Sequence, residues 1–398
     1  MKVFFRFFNR QHSLSASCLL SRGALSALAL LSFMPAVMGQ WSPTPNDTLV
    51  SPRVNPDHSV TFSIYAPKAE SVVVAGEYKS DWAPDALKKD SVGVWSFTTP
   101  PLTPDYYTYI YNVDGVKTFD PKNPDYKPGI NGIENILSVP GEGTEFEDIK
   151  NIPHGEVRSV LYFSKALNTM RRVHIYTPPG YEKSTDKYPV LYLQHGSGDD
   201  DSGWPTIGRA GIILDNLIAE NKAVPMIVVM PDGSKTYTGK PRREQTLEDF
   251  LNADKYGEEL HNVIMPLVEN NYKVYADREH RAFAGLSMGG FQVLLYGLPY
   301  YEKFNYLGVF SMGLDSKNTD IYLKSASKFF DNPDKVNKEV KLLWIGCGEN
   351  DFLRSEFDIL SKTLKDHKIN FEQRDSKGGH TWVNWRHYLN EFASKIFK

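Results

Sequence analysis

"RAFAGLSMGG", Arg281–Gly290, sets Gly285 and Gly289 two residues to either side of Ser287. A G-x-S-x-G pattern arises by chance in roughly one chain in ten of this length, so its setting decides its meaning. Arg281–Leu286 is a short apolar run with the character of a strand, and from Gly289 onward "GGFQVLLYGLPY" reads as a helix start. Strand, sharp turn and helix together form an elbow that holds a serine hydroxyl above a sheet. Larger residues at Gly285 or Gly289 would collide with neighbouring backbone at such a turn. Ser287 is therefore read as a nucleophile with a helix N-terminus behind it.

Outward from the elbow the rhythm is uniform. "YPVLYLQHG", "PMIVVMPDG" and "KLLWIGCG" are continuous apolar runs alternating with helical stretches. Unbroken apolar strands suit a sheet buried on both faces, so residues 157–398 are expected to form an α/β domain with a mostly parallel sheet. The preceding stretch differs. "SVTFSIYA", "SVVVAG", "VWSFTT" and "YYTYIYNVDG" are short β-branched or aromatic runs between turn residues, with no useful helical period. Residues 45–142 are expected to be a small all-β sandwich, with 143–156 as a linker. "DPKNPDYKPGINGIEN" breaks the strand pattern with Pro, Gly and Asn, as a linker or long surface loop would.

A net charge of −3 gives no reason to expect a nucleic-acid partner. Lys2, Arg6 and Arg10 precede the apolar "ALSALALLSFMPAVMG", which ends in small residues before Gln40. That order reads as a secretory signal over residues 1–39, and Arg22 argues against a membrane span. A secreted or periplasmic bacterial protein is the expectation, without membrane association once the signal is cut. Beyond that segment Cys347 is the sole cysteine, which excludes an internal disulfide in the mature chain.

A nucleophilic serine needs a base, and the base an orienting carboxylate, in the chain order Ser, acid, His. After "KLLWIGCG" comes "ENDFLR", offering Glu349 and Asp351 at a strand end; Asp351 is preferred. After the strand-like "NFEQRDS" comes "KGGHTW", which puts His380 on a glycine-flanked loop. The rival His387 lies in "NWRHYLNEF", a helical stretch that gives it a surface or packing role. The oxyanion hole is expected from the backbone N–H of Met288 and of Ser197, the latter in "QHGSGDDDSGW". His195 is read as shaping that loop, and the acidic run Asp199–Asp201, lacking calcium-loop spacing, as solvated. No metal or cofactor is expected.

These residues resemble a known family. "VHIYTPPGYEKSTDKYPVLYLQHGSGDDDSGW", "GIILDNLIAENKAVPMIVVMPDG", "RAFAGLSMGGFQ", "GENDF" and "GGHTW" are similar to carbohydrate esterase family 1. That family contains feruloyl and acetyl xylan esterases on an α/β-hydrolase fold. The likeness implies Ser287, Asp351 and His380 as a triad. "VTFSIYAPKAESVVVAGEYKSDW", "GVWSFTTPPL" and "YYTYIYNVDG" resemble a family 48 carbohydrate-binding module, although Pro104-Asp105 stands where a glycine usually precedes the tyrosine. Trp82 and Trp95 are candidates for sugar stacking or for the sandwich core.

The resemblance implies a serine esterase releasing ferulate from feruloylated xylan or its oligosaccharides. An acetyl xylan esterase is the alternative. A siderophore esterase would need more cationic pocket loops than Asp199–Asp201 and Asp232 provide, Arg242-Arg243 notwithstanding; a non-catalytic glycan-binding scaffold sits poorly with an intact Ser, Asp and His. Trp204, ending "GDDDSGW", and Trp382, two residues beyond His380, are expected to wall a pocket for the planar acyl ring.

Overall fold

In this computed structural model residues 43–234 and 246–398 are described. The signal-like segment and Arg242-Arg243 lie outside them. The N-terminal strands are β1 (Arg53–Val54), β2 (Val60–Tyr65), β3 (Val72–Gly76), β4 (Asp85–Ala86), β5 (Lys88–Lys89), β6 (Val94–Thr98), β7 (Asp105–Val113), β8 (Val116–Thr118), β9 (Tyr126–Gly129) and β10 (Gly132–Val139). They form two sheets, β1-β2-β6-β5 and β4-β3-β7-β10-β9, with β8 paired to β7. Tyr107, Tyr109 and Tyr111 of β7 alternate inward to meet Val60, Phe62 and Val74 in the sandwich core. Trp95 joins that core, its Nε1 donating to the Ala66 carbonyl at 2.9 Å.

The second half of the Pro- and Gly-rich stretch that reads as a loop is a strand pair, β9 and the start of β10. β9 and β10 pair antiparallel with Lys127 opposite Glu134. Pro128 is tolerated because β9 lies at the sheet edge, where a missing N–H breaks no ladder. Residues 143–156 are also anchored. Glu147 is buried 2.5 Å from Arg386, and His154 Nδ1 lies 2.9 Å from Asp215.

The second part carries β11 (Glu156–Ser164), β12 (Thr169–Thr177), β13 (Val190–Gln194), β14 (Ile227–Pro231), β15 (Arg281–Leu286), β16 (Tyr306–Phe310), β17 (Leu342–Gly348) and β18 (Glu372–Ser376). The sheet order is β11-β12-β14-β13-β15-β16-β17-β18; β12 pairs antiparallel with both β11 and β14, and every other neighbouring pair is parallel. β13 to β17 are buried throughout except at Arg281, as their apolar runs predict. Val190 and Tyr192 face one apolar layer, while Leu191 and Leu193 face the other. This period of two puts helices on both faces.

The sandwich does not stand apart from this domain. On β7 and β10, Tyr106 and Ile136 point away from their own core and pack against the hydrolase layer. Arg386, fully buried on the C-terminal helix Trp382–Ala393, pairs with Asp105 and Glu147 and donates to the carbonyls of Tyr106 (2.6 Å) and Ile207 (3.0 Å). A buried guanidinium with this many partners is geometrically committed.

Candidate active site

Ser287 sits between β15 and the helix Met288–Tyr296 with φ 50° and ψ −117°, a strained conformation that only a well-supported turn maintains. The flanking glycines make that turn possible. A Cβ on Gly285 would lie 2.5 Å from the Gly289 carbonyl carbon, and one on Gly289 would lie 2.6 Å from the Gln194 carbonyl oxygen. The Ser287 N–H donates to Phe310 O at 2.8 Å, which fixes the elbow onto β16.

His380 lies on the loop between β18 and the C-terminal helix. Its Nδ1 is 2.9 and 3.0 Å from the two carboxylate oxygens of Asp351, which follows β17. Burial pushes the Asp351 carboxyl up, but His380, the Leu353 N–H and the Ser311 hydroxyl outweigh it and hold the group below its usual range. An ionised Asp351 orients Nδ1–H and leaves Nε2 free to take a proton. Glu349 is exposed and borders a different groove, and His387 is exposed beside Phe146. The structure therefore brings Asp351 and His380 together and leaves Glu349 and His387 away from them.

Ser287, His380 and Ser197 line one cleft of about 860 Å³. Met288, the first residue of the elbow helix, directs its backbone N–H from a helix N-terminus. The Ser197 loop abuts the elbow, since a Cβ on Gly196 would lie 3.5 Å from that of Ser287. His195 shapes this loop. Its Nδ1 donates to Gly196 O at 2.8 Å and its Nε2 faces the Gly233 N–H at 3.0 Å and Asp232 at 3.6 Å. Burial pulls the imidazole down, but Asp232 and Asp199 outweigh it and raise it.

The acidic run is not solvated. Asp199 and Asp201 are buried; Lys127 of the sandwich pairs with the first, while Arg172 and His174 pair with the second at 2.7 and 2.8 Å. Trp204 does not wall the cleft as its place in the sequence suggests. It is 1% exposed, its Nε1 donates to Gln194 O at 3.0 Å, and it lies beneath the oxyanion loop rather than along the cleft. Trp382 borders the cleft although nearly buried, edge-on to Trp204 at 5.1 Å.

Other cleft residues escaped sequence reasoning. The Phe352 ring, 73% exposed, lies 4.3 Å from the His380 ring. Trp385 stands edge-on to His380 at 5.0 Å and donates to Ser311 Oγ at 3.0 Å. Phe352 follows Asp351 directly and was visible as a neighbour. The far wall comes from the sandwich: Trp82, a sugar-stacking candidate from its sequence, borders the cleft, whereas Asp81, Lys117, Asn131 and Glu134 beside it carried no such signal. Among the described residues no group of three or more His, Cys, Asp or Glu is arranged to hold a metal.

A serine on a strained elbow, a histidine tied to a buried aspartate and a helix N-terminus beneath define a serine hydrolase of the α/β type. The chain belongs to the esterase family whose model, described as putative esterase, matches residues 164–396. Residues 50–126 match carbohydrate-binding module 48, the isoamylase N-terminal domain. An endo-1,4-beta-xylanase/feruloyl esterase of Xylanibacter ruminicola is 32% identical over 355 residues, which cover 87% of this chain and 46% of that protein. The chain thus spans less than half the length of that relative. A solved ferulic acid esterase superposes with a TM-score of 0.52 at 26% identity, over 61% of this chain and all of its own. The enterobactin esterase of Shigella flexneri, at 19% identity and a TM-score of 0.62, covers 84% of this chain and 92% of its own and shares the fold.

Proposed function

We propose that this protein is a feruloyl esterase acting on feruloylated xylan or its oligosaccharides. Ser287 Oγ attacks the ester carbonyl while His380 Nε2 takes its proton, and the N–H groups of Met288 and Ser197 hold the developing oxyanion. His380 then returns the proton to the departing sugar oxygen, which leaves as the hydroxyl, and water releases the acid from Ser287 by the reverse sequence. The observation that carries the reading is the two-sided cleft. Phe352, Trp382 and Trp385 offer rings beside His380 for a planar acyl group, opposite a polar sandwich wall suited to a sugar. The likeness to a xylanase/feruloyl esterase over 87% of the chain supports the same acyl group and glycan.

Asp81, Glu134 and Asp199 outnumber Lys117 and Lys127 along this wall, and Lys127 is already paired with Glu134 and Asp199. An anionic triscatecholate meets little cationic surface there, which speaks against a siderophore substrate. Export to where xylan lies is the role proposed for the basic and apolar N-terminus. Initial rates on methyl ferulate, acetylated xylan and a catecholate siderophore test the reading. Feruloyl turnover should be fastest, and faster release of acetate or cleavage of the siderophore would replace it.

A further inference from the structure

We infer that Glu77, a residue of the sandwich, is a positioning residue for the catalytic histidine: its carboxylate grips the helix that begins two residues after His380. The inference rests on the esterase reading above. Glu77 directly follows β3 and is 5% exposed. Its Oε1 accepts from the Trp382 N–H at 2.7 Å and its Oε2 from the Thr108 N–H at 3.0 Å, while its own N–H donates to Thr108 O at 2.9 Å. The carboxylate thus bridges β7 of the sandwich and the first helical residue beyond His380.

The helix needs this partner. Thr381, in the N-cap position, makes no capping bond with its own side chain, and the first turn contains no acidic residue. First-turn N–H groups lack intrahelical acceptors and favour a negative charge. Glu77 supplies one from 305 positions away in the chain. The same segment touches the loop on the other side of His380, where a Cβ on Gly379 would stand 3.4 Å from Ser80 O. The hydrolase's own supports act elsewhere: Asn384 Nδ2 holds Gly379 O at 2.8 Å and Asp351 holds the imidazole. One turn along, Arg386 locks the same helix to Asp105 and Glu147. Burial pushes the Glu77 carboxyl up to about 7, against the pull of the two N–H groups and Arg386. A histidine displaced by a fraction of an ångström from its serine loses rate without losing substrate affinity.

Glu77→Gln keeps the side chain's shape but turns one acceptor into a donor, so one of the two backbone N–H groups loses its partner in either amide orientation. Rates are read above pH 7, where the Glu77 carboxyl is ionised, per active site titrated with a serine-reactive phosphonate, on both methyl ferulate and a feruloylated oligosaccharide. Expected is a kcat lower on the order of 10–100-fold on both esters with KM unchanged, and an intermediate kcat for Glu77→Asp, which keeps the charge but shortens the reach. A kcat equal to wild type overturns the inference, even if the variant melts earlier. A higher KM for the oligosaccharide alone also overturns it, by making Glu77 a substrate contact. If the Gln variant does not fold, the Asp variant decides by the same split: lower kcat at unchanged KM supports positioning, wild-type kcat refutes it. Methyl ferulate hydrolysis missing in wild type, or persisting in Ser287→Ala, would instead bring down the esterase reading and this inference with it.

Discussion

Lys127 Nζ of the sandwich lies 2.5 Å from Asp199 Oδ1 of the oxyanion loop, and both side chains are buried. Burial alone would pull the Lys127 ammonium down, but Asp199 and Glu134 hold it well above the usual lysine range. The pair ties a wall of the cleft to the loop carrying Ser197. Removing one partner strands the other charge. Lys127→Met should therefore destabilise the protein by about 3–5 kcal/mol. Lys127→Met combined with Asp199→Leu should recover much of that loss, because the buried lone carboxylate is gone and Glu134, the other partner of Lys127, is part-exposed to water. Urea unfolding of the four forms measures the coupling, and additive losses would show that the pair is not coupled.

The triad is tested by three substitutions. Ser287→Ala and His380→Ala should each lower kcat on the order of a million-fold, and Asp351→Asn by about ten-thousandfold. Glu349→Gln and His387→Gln should stay near wild type, since both residues are exposed and away from His380. Steady-state kinetics on methyl ferulate gives the comparison. A collapse in Glu349→Gln with Asp351→Asn unaffected would reverse the assignment of the acid.

Phe352 and Trp204 should behave oppositely. Phe352 is exposed over His380, so Phe352→Ala should lower kcat/KM for feruloyl esters by about 0.5–1.5 kcal/mol while leaving acetyl esters and unfolding nearly unchanged. Trp204 is fully buried, so Trp204→Ala should destabilise by about 3–5 kcal/mol and depress both activities together. Rates on paired feruloyl and acetyl esters, with melting curves, separate the two. Loss of both activities in Phe352→Ala would remove it from the acyl wall.

Glu77 also predicts a pH dependence of stability. Its folded carboxyl titrates at about 7 against 4.5 unexposed to such burial, with Arg386 and Glu134 the charged groups bearing on it. Between those values the folded protein holds a proton that the unfolded chain has released. Stability relative to Glu77→Gln is therefore greatest in acid and falls as pH rises from 4.5 to 7, by about 3 kcal/mol in all. Asp351 acts in the opposite sense: its lowered carboxyl contributes stability above the unfolded carboxylate range that is lost as pH falls through the folded value. Unfolding free energies of wild type and Glu77→Gln across this window test the slope. A difference that does not change with pH would refute it.

What was legible in the sequence was local. The G-x-S-x-G turn, the apolar runs of β13 to β17 and the glycine-flanked His380 carry their meaning within a few residues of themselves. Phe352 adjoins Asp351 and needed only a question about its exposure. Trp204 misled because nearness in sequence to the oxyanion loop does not say which side of the loop a ring takes; its Nε1 donates to the Gln194 carbonyl, which holds the ring inward. Lys127, Glu77 and the buried state of Asp199 were illegible for a different reason. Each depends on a partner brought in from the other part of the chain, and no periodicity marks the outward face of a sandwich sheet as a cleft wall. The hairpin at Tyr126–Val139 was masked by Pro128 and its glycines, which an edge strand tolerates.

In the proposed mechanism Ser287 carries a feruloyl group during turnover. Mass spectrometry of enzyme quenched while it hydrolyses an activated ferulate ester, mapped to the peptide containing Ser287, tests it most directly. Expected is a feruloyl adduct on Ser287 that decays as product forms and is absent from Ser287→Ala. An adduct on another residue, turnover with no adduct in a quench fast enough to resolve acylation, or an acetyl ester that acylates Ser287 faster than the matched ferulate ester would contradict it.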